Sequence, residues 1–277
     1  MGQIEIKTAE QIRWMREAGL IVAKIHQALR EAATPGVSLK DLDAVSEKTI
    51  RDCQAHSNFL GYYGFPATVC ISVNDTVVHG IPDNTVLQAG DLVSFDCGAY
   101  VLRGGKQWHG DAAFTMIVGE SGSPEAERLN RVTEEAMWAA LAALATGKRI
   151  SAVGEAVEEV VAANATDDWE AGIIEEYTGH GIGSAMHQPP EILNYRARGL
   201  SPRLRRGMVL AVEPMLVNGG IETTVMEDDW TVKTLDGSLA SHWEHTVALT
   251  EGGIWVLTAP DGGAAGLAPY GITPSPA

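Results

Sequence analysis

Basic residues are scarce in this sequence, with 20 Lys and Arg against 36 Asp and Glu and a formal charge of −16 at pH 7. Sequence-independent nucleic-acid affinity comes from Lys and Arg displacing condensed counterions, so so acidic a chain is not a non-specific DNA or RNA binder. Cysteine is scarcer still. Cys53, Cys70 and Cys97 form an odd count without a C-x-x-C pair, which fits neither a disulfide framework nor a zinc ribbon and points to a reducing compartment. Long apolar runs are missing too: the longest uncharged apolar helical stretch, Ala136 to Gly147, is far short of the ~20 residues a membrane span needs. The opening Met-Gly-Gln-Ile-Glu-Ile-Lys has an acid where a secretory leader wants basic residues, and no apolar segment follows. A cytoplasmic, soluble monomer with no membrane contact is expected.

What the chain has is apolar bulk. Hydrophobic residues make up 45% of 277 positions, and a chain near this size buries roughly 75% of its unfolded surface. Length alone allows one or two domains. Thr8 with Gln11 is a capping-box signature, and Ile12, Met15, Ala18, Gly19, Val22 and Ile25 follow at helical spacing, which predicts a helix over about 9–32. Thr34-Pro35-Gly36 ends it. Ser38-x-x-Asp41 opens a second helix with Leu42, Val45, Thr49 and Ile50 on one face. From about 66 to 118 the pattern is β-rich, broken by glycine and Asn-Asp turns.

Then the order recurs: helices over Glu125–Ala145 and Ser151–Ala163, and β-rich segments over about 172–257. The letters recur with it. Val37-Ser38 is echoed by Ile150-Ser151, His79-Gly80-Ile81 by His180-Gly181-Ile182, and the run from Gly90 to Asp96 by that from Gly207 to Glu213. We read one α+β domain over 1–258, built from two αα-then-β halves (about 8–120 and 121–258) with a ligand site at the seam. Residues 259–277, dominated by Ala, Gly and Pro, are expected to be a disordered tail.

Four acids abut strands that should be buried: Asp96, Asp111, Glu213 and Glu244. Four anions gathered in a core are very unfavourable unless cations neutralise them. Carboxylates with one imidazole suit hard to borderline divalent ions, and bridging carboxylates can hold a metal pair ~3.5–4 Å apart. His180, between glycines in Gly179-His180-Gly181-Ile182-Gly183, is the best fifth ligand. His79 and His187 lie in turn-rich segments that can reach the same cleft and are read as substrate contacts. His26 and His56 are placed in helices and given a structural role; His109, His242 and His245 flank the ligands with no role assigned.

These residues resemble the pita-bread metallopeptidases, and most closely the type I methionine aminopeptidases, over residues 3–258. The resemblance rests on Val78-His79-Gly80-Ile81-Pro82, Trp108-His109-Gly110-Asp111, Gly179 to Gly183, Val212-Glu213-Pro214-Met215, Trp230 to Thr234 and Glu244-His245-Thr246. It implies a pita-bread fold in which Asp96, Asp111, His180, Glu213 and Glu244 bind two divalent metals (Fe, Mn, Co or Zn), with Asp111 and Glu244 bridging. It also implies removal of the initiator methionine from nascent chains whose second residue is small, by attack of a metal-activated hydroxide on the first peptide bond. Glu213 would shuttle the proton, and His79 and His187 would contact substrate. Tyr62, Phe65, Cys70, Met186 and Trp230 would line the methionine pocket, with Cys70 expected as a partly accessible thiol.

Prolidases and aminopeptidases P carry a domain ahead of the shared fold, for which the position of His79 leaves no room. Type II enzymes insert a helical segment between the positions of His187 and Glu213, which here are separated by only 25 residues. A proline-directed aminopeptidase or a non-catalytic binding module of the same fold are the alternatives. One departure is Ala112-Ala113, where many relatives follow the second aspartate with a hydroxyl residue that could orient the carboxylate. Lastly, Arg196, Arg198, Arg203, Arg205 and Arg206 form a basic island on an acidic chain, a candidate for transient contact with ribosomal RNA.

Overall fold

The computed structural model describes residues 2–199 and 201–277. Helix α1 (Ala9–Ala32) starts at its capping box: the Gln11 N–H donates to Thr8 Oγ1 at 3.2 Å and the Thr8 N–H donates to Gln11 Oε1 at 2.8 Å. Two N–H groups without helical partners are thereby satisfied. Its periodic apolar face is buried, and each fully buried side chain such as Ile25 or Leu29 stabilises by roughly 1.5–3 kcal/mol. Helix α2 (Leu39–Asp52) is capped by Ser38, whose Oγ accepts from the Asp41 N–H. Strands β1 (His56–Ser57), β2 (Val69–Val73), β3 (Thr76–Val78), β4 (Leu92–Arg103) and β5 (Lys106–Ile117) follow. The β4–β5 hairpin is flanked by β2 and β1 on β4, and α1 lies across it.

Helices α3 (Pro124–Thr146) and α4 (Ala152–Asn164) then pack on each other, as the second helical pair of the sequence pattern. After them come β6 (Gly172–Ile173), β7 (Gly179–Gly181), β8 (Gln188–Ile192), β9 (Val209–Val212), β10 (Met215–Val217), β11 (Thr223–Val225), β12 (Val232–Thr234), β13 (Ala240–His242), β14 (His245–Leu249) and β15 (Ile254–Val256). One sheet runs β15-β14-β9-β7-β8, a second β13-β10-β6, and a third pairs β11 and β12 with β3 from the first half. The main buried cluster takes side chains from both helical pairs and from strands of both halves. A separate one gathers Phe59, Phe65, Ala67, Cys70 and Met186. Among the described residues no helix is long and apolar enough to cross a membrane.

Two expectations need correction. His56 lies in β1, not in a helix, because α2 ends at Asp52 and Gln54 takes a left-handed φ of 55° through which a helix does not continue. Its ring stacks on Tyr100 instead, whereas His26 does lie in α1, Nε2 3.0 Å from the Ala112 carbonyl. Residues 259–277 are not a disordered tail: the Asp261 carboxylate accepts from the Gly263 and Ala265 N–H groups ahead of a short helix, α5 (Ala264–Leu267). Leu267 is buried in the main core, and the Ser275 N–H donates to the Ile254 carbonyl at 2.8 Å. Small residues allow this docking, since a Cβ at Gly266 would collide with the Trp138 ring.

Candidate active site

The four acids converge where the halves meet. The Glu244 N–H donates to the Ala113 carbonyl at 2.9 Å, and the Ala113 N–H donates back to the Glu244 carbonyl at 3.2 Å. These bonds join β5 to the residue that enters β14. Beside them the Asp111 N–H donates to Thr246 Oγ1 at 3.1 Å, and that hydroxyl donates to the Asp111 carbonyl at 2.7 Å. Thus a hydroxyl does support the second aspartate despite Ala112-Ala113, but it comes from the opposite half and holds the backbone. Asp96 sits on β4 directly across from Ala113, and Glu213 follows β9.

Asp111, Glu213 and Glu244 are buried, and ligand atoms of Asp111, His180 and Glu244 all lie within 4.8 Å of one another. His180 Nε2 is 3.4 Å from Glu213 Oε1, while His242 Nε2 approaches Glu213 Oε2 at 3.7 Å. Asp96 Oδ1, Asp111 Oδ1 and Glu244 Oε1 are buried with no hydrogen-bond partner. Two like charges 4.8 Å apart repel by roughly 3.5 kcal/mol at an effective dielectric near 20. Burial pushes the Asp96 carboxyl up to about 7. Burial also drives Asp111, Glu213 and Glu244 well above the usual carboxylate range, with neighbouring acids adding to it. It lowers His180 and His242 to about 3, leaving neutral imidazoles with a free lone pair. An oxygen-rich donor set with orphaned oxygens and one neutral imidazole fits divalent cations.

All twelve residues singled out from the sequence line one cavity of about 70 Å³. Asp96, Asp111, His180, Glu213 and Glu244 form its polar end. Tyr62, Phe65, Cys70, Met186 and Trp230 form its apolar wall, with Phe65 edge-on to Trp230 at 5.1 Å. Cys70 is buried, and burial pushes its thiol up, so the expected accessible thiol is not there. His187 Nδ1 and the Tyr62 hydroxyl are hydrogen-bonded at 2.9 Å, and the His187 ring packs 4.3 Å from that of His180. His79 holds a φ of 59°, a conformation that costs a non-glycine residue of order 1–3 kcal/mol and gathers at functional sites. Burial lowers it to about 4, and its ring meets those of Tyr177 and Trp230 edge-on. His180 and His187 also line a wider cleft of about 720 Å³ with Pro189, Pro190 and Tyr195.

Sequence reasoning missed Phe59, the thirteenth lining residue, which carries no periodic or motif signal. It also left His242 without a role. Of the other flanking histidines, His109 pairs through Nδ1 with Asn58 Oδ1 at 2.8 Å, and His245 with Thr258 Oγ1 at 2.8 Å. In the basic island Arg196 pairs with Glu158 and Glu159, and Arg206 with Glu251.

Residues 13–251 match metallopeptidase family M24. The chain is 47% identical over 254 residues to methionine aminopeptidase 1 of Mycobacterium tuberculosis, covering 91% of this chain and 94% of that protein. A crystal structure of methionine aminopeptidase from Thermotoga maritima superposes with a TM-score of 0.86 at 37% identity, over 92% of this chain and 99% of that one. A prolidase from Pyrococcus furiosus shares the fold at a TM-score of 0.69 and 23% identity, over 92% of this chain but only 65% of its own. Neither alternative drawn from the sequence is favoured by these relatives. The chain belongs to metallopeptidase family M24 and has its pita-bread fold.

Proposed function

We propose that the protein removes the initiator methionine from nascent polypeptides whose second residue is small. The observation that carries this reading is a donor-poor cluster of buried carboxylates sharing one small cavity with an apolar wall of Phe59, Phe65, Cys70, Met186 and Trp230, a lining suited to a soft apolar side chain. Relatives named methionine aminopeptidase, at 38–47% identity over nine-tenths of the chain, support the same substrate.

Asp96, Asp111, His180, Glu213 and Glu244 would hold two divalent ions; Fe²⁺, Mn²⁺, Co²⁺ and Zn²⁺ all suit such ligands. When bound, the metals supply Lewis-acid polarisation and a lowered water pKa. The rest falls to side chains. Glu213, which follows β9 into the cavity beside His180, moves a proton between attacking water and the leaving amine. A Tyr62 hydroxyl that donates to Nδ1 would keep the His187 proton on Nε2, a donor for the oxygen on which charge develops. His79, neutral and held in a strained backbone conformation, contacts the amide being cleaved.

Methionine release from Met-Gly-Met with added Co²⁺ or Mn²⁺, and none of the first residue from an X-Pro peptide, is the expected result. No methionine release with any metal overturns the reading. It carries with it a cytoplasmic location and a brief ribosome contact through Arg198, Arg203 and Arg205, which Glu substitutions would weaken in a co-sedimentation assay.

A further inference from the structure

Glu5 and Lys7 precede α1, yet their side chains meet the turn between β7 and β8, 179 positions further along the chain in the case of Glu5 and Ser184. That turn carries His187. Glu5 Oε1 accepts from the Ser184 hydroxyl at 2.7 Å, and Oε2 accepts from the Ser184 N–H at 3.0 Å and from Gln188 Nε2 at 3.0 Å. The Lys7 ammonium, its side chain 1% exposed, lies 3.5 Å from Glu5 Oε2 and donates to the Glu5 carbonyl at 3.2 Å. A Cβ at Gly183 would collide with both Glu5 Oε2 and Lys7 Cε, so the turn can rest this closely on the pair only with glycine there. The Lys7 N–H donates to the Gly207 carbonyl at 2.7 Å, which ties the segment down beside β9.

One carboxylate therefore grips the turn on both flanks of His187, three residues before it and one after. Within the turn itself the described hydrogen bonds are few: the Gly183 N–H and Gln188 Nε2 both donate to the Ala185 carbonyl. Tyr62 can hold Nδ1 of His187 only while the backbone keeps the ring within reach. Bonds to a charged acceptor are roughly twice as strong as neutral ones, and displacing a reacting group by about 1 Å can cost ~10²-fold in rate.

We propose that Glu5 is a positioning residue for His187, fixing the β7–β8 turn so that the imidazole meets the scissile carbonyl at a constant place. This rests on the reading that His187 contacts the substrate. Its test is a double-mutant cycle, run on metal-loaded protein by release of methionine from Met-Gly-Met. Glu5→Ala is expected to lower kcat by about 10- to 100-fold in the otherwise wild-type chain, and by less than about 2-fold in a His187→Ala background. Glu5→Gln, which keeps the shape and one acceptor, should recover part of the loss.

Effects that multiply in both backgrounds would mean Glu5 merely supports the fold, and would overturn the proposal. So would a His187→Ala variant with unchanged kcat, or an unaffected Glu5→Ala. Should Glu5→Ala fail to fold because Lys7 is left without its counterion, Ser184→Ala with Gln188→Met removes the side-chain donors while keeping the ion pair. The same cycle then applies to that pair of substitutions, with the same criteria. Absence of methionine release by the wild-type protein with every metal sinks the functional reading and the proposal together; release with multiplicative effects sinks the proposal alone.

Discussion

Glu5 and the acids of the cavity are the same functional group in opposite surroundings. Burial alone would raise Glu5, yet donors from Ser184 and Gln188 and the nearby Lys7 ammonium outweigh it and hold the carboxyl at about 2. Asp96, with an unpartnered Oδ1, is pushed by burial to about 7. Glu5 is only partly covered, its side chain 26% exposed, and donors reach it; Asp96 Oδ1 is fully enclosed and has none. The fold gives the half-buried Glu5 carboxylate donors from Ser184, Gln188 and Lys7 where the role is to hold a turn, and withholds donors where the carboxylates are to meet a cation.

That contrast can be broken most forcefully at Asp111. Asp111→Asn should lower methionine release by at least about 10³-fold, because metal charge stabilisation is worth several kcal/mol. In metal-free protein the same change should raise the thermal midpoint by about 2–4 °C, equivalent to ~1 kcal/mol, by removing one of four crowded acids. A fall in that midpoint would show Asp111 satisfied without metal. Next in size, Mn²⁺ or Co²⁺ at 100 times its Kd should stabilise the fold by about 2.7 kcal/mol in calorimetry, and a chelator should reverse it.

Glu5→Gln should destabilise by about 1–3 kcal/mol in urea unfolding at pH 7, since it leaves donors and Lys7 incompletely met. The two kinds of acid should also slope oppositely with pH. Asp96 has a folded pKa of about 7, above its ordinary 3.8, so it binds more protons folded than unfolded, and metal-free stability should fall as pH rises from about 4 to 7. Glu5, held at about 2 below its ordinary 4.5, contributes stability that is complete above 4.5 and lost as pH falls towards 2. Unfolding curves of metal-free wild-type and Glu5→Gln protein across pH 2–7 check both signs. The smallest effect is expected from Tyr62→Phe, about 3- to 10-fold in kcat, because it frees His187 Nδ1 without moving a ligand.

Much of this is legible in the sequence alone. The caps at Thr8 and Ser38 lie within a few residues of the helices they start, and the acids announce themselves by abutting apolar runs, so local patterning finds both. Phe59 and the Glu5 grip were not legible, because each takes its meaning from partners far along the chain. Composition misled at residues 259–277, where Ala and Gly read as disorder but serve close packing on Trp138. The left-handed φ of His79 is likewise invisible, since its short motif encodes no angle.

The apolar wall of the cavity has a last consequence. Phe59, Phe65, Ala67, Cys70 and Met186 form a cluster of their own, apart from the large core that joins the two halves. Exchanges at distant, independent sites usually add without coupling. Side chains of this wall can therefore change the shape of the pocket with less disturbance to the large core, although Cys70, opposite Asp96 in the sheet, stays tied to the carboxylates.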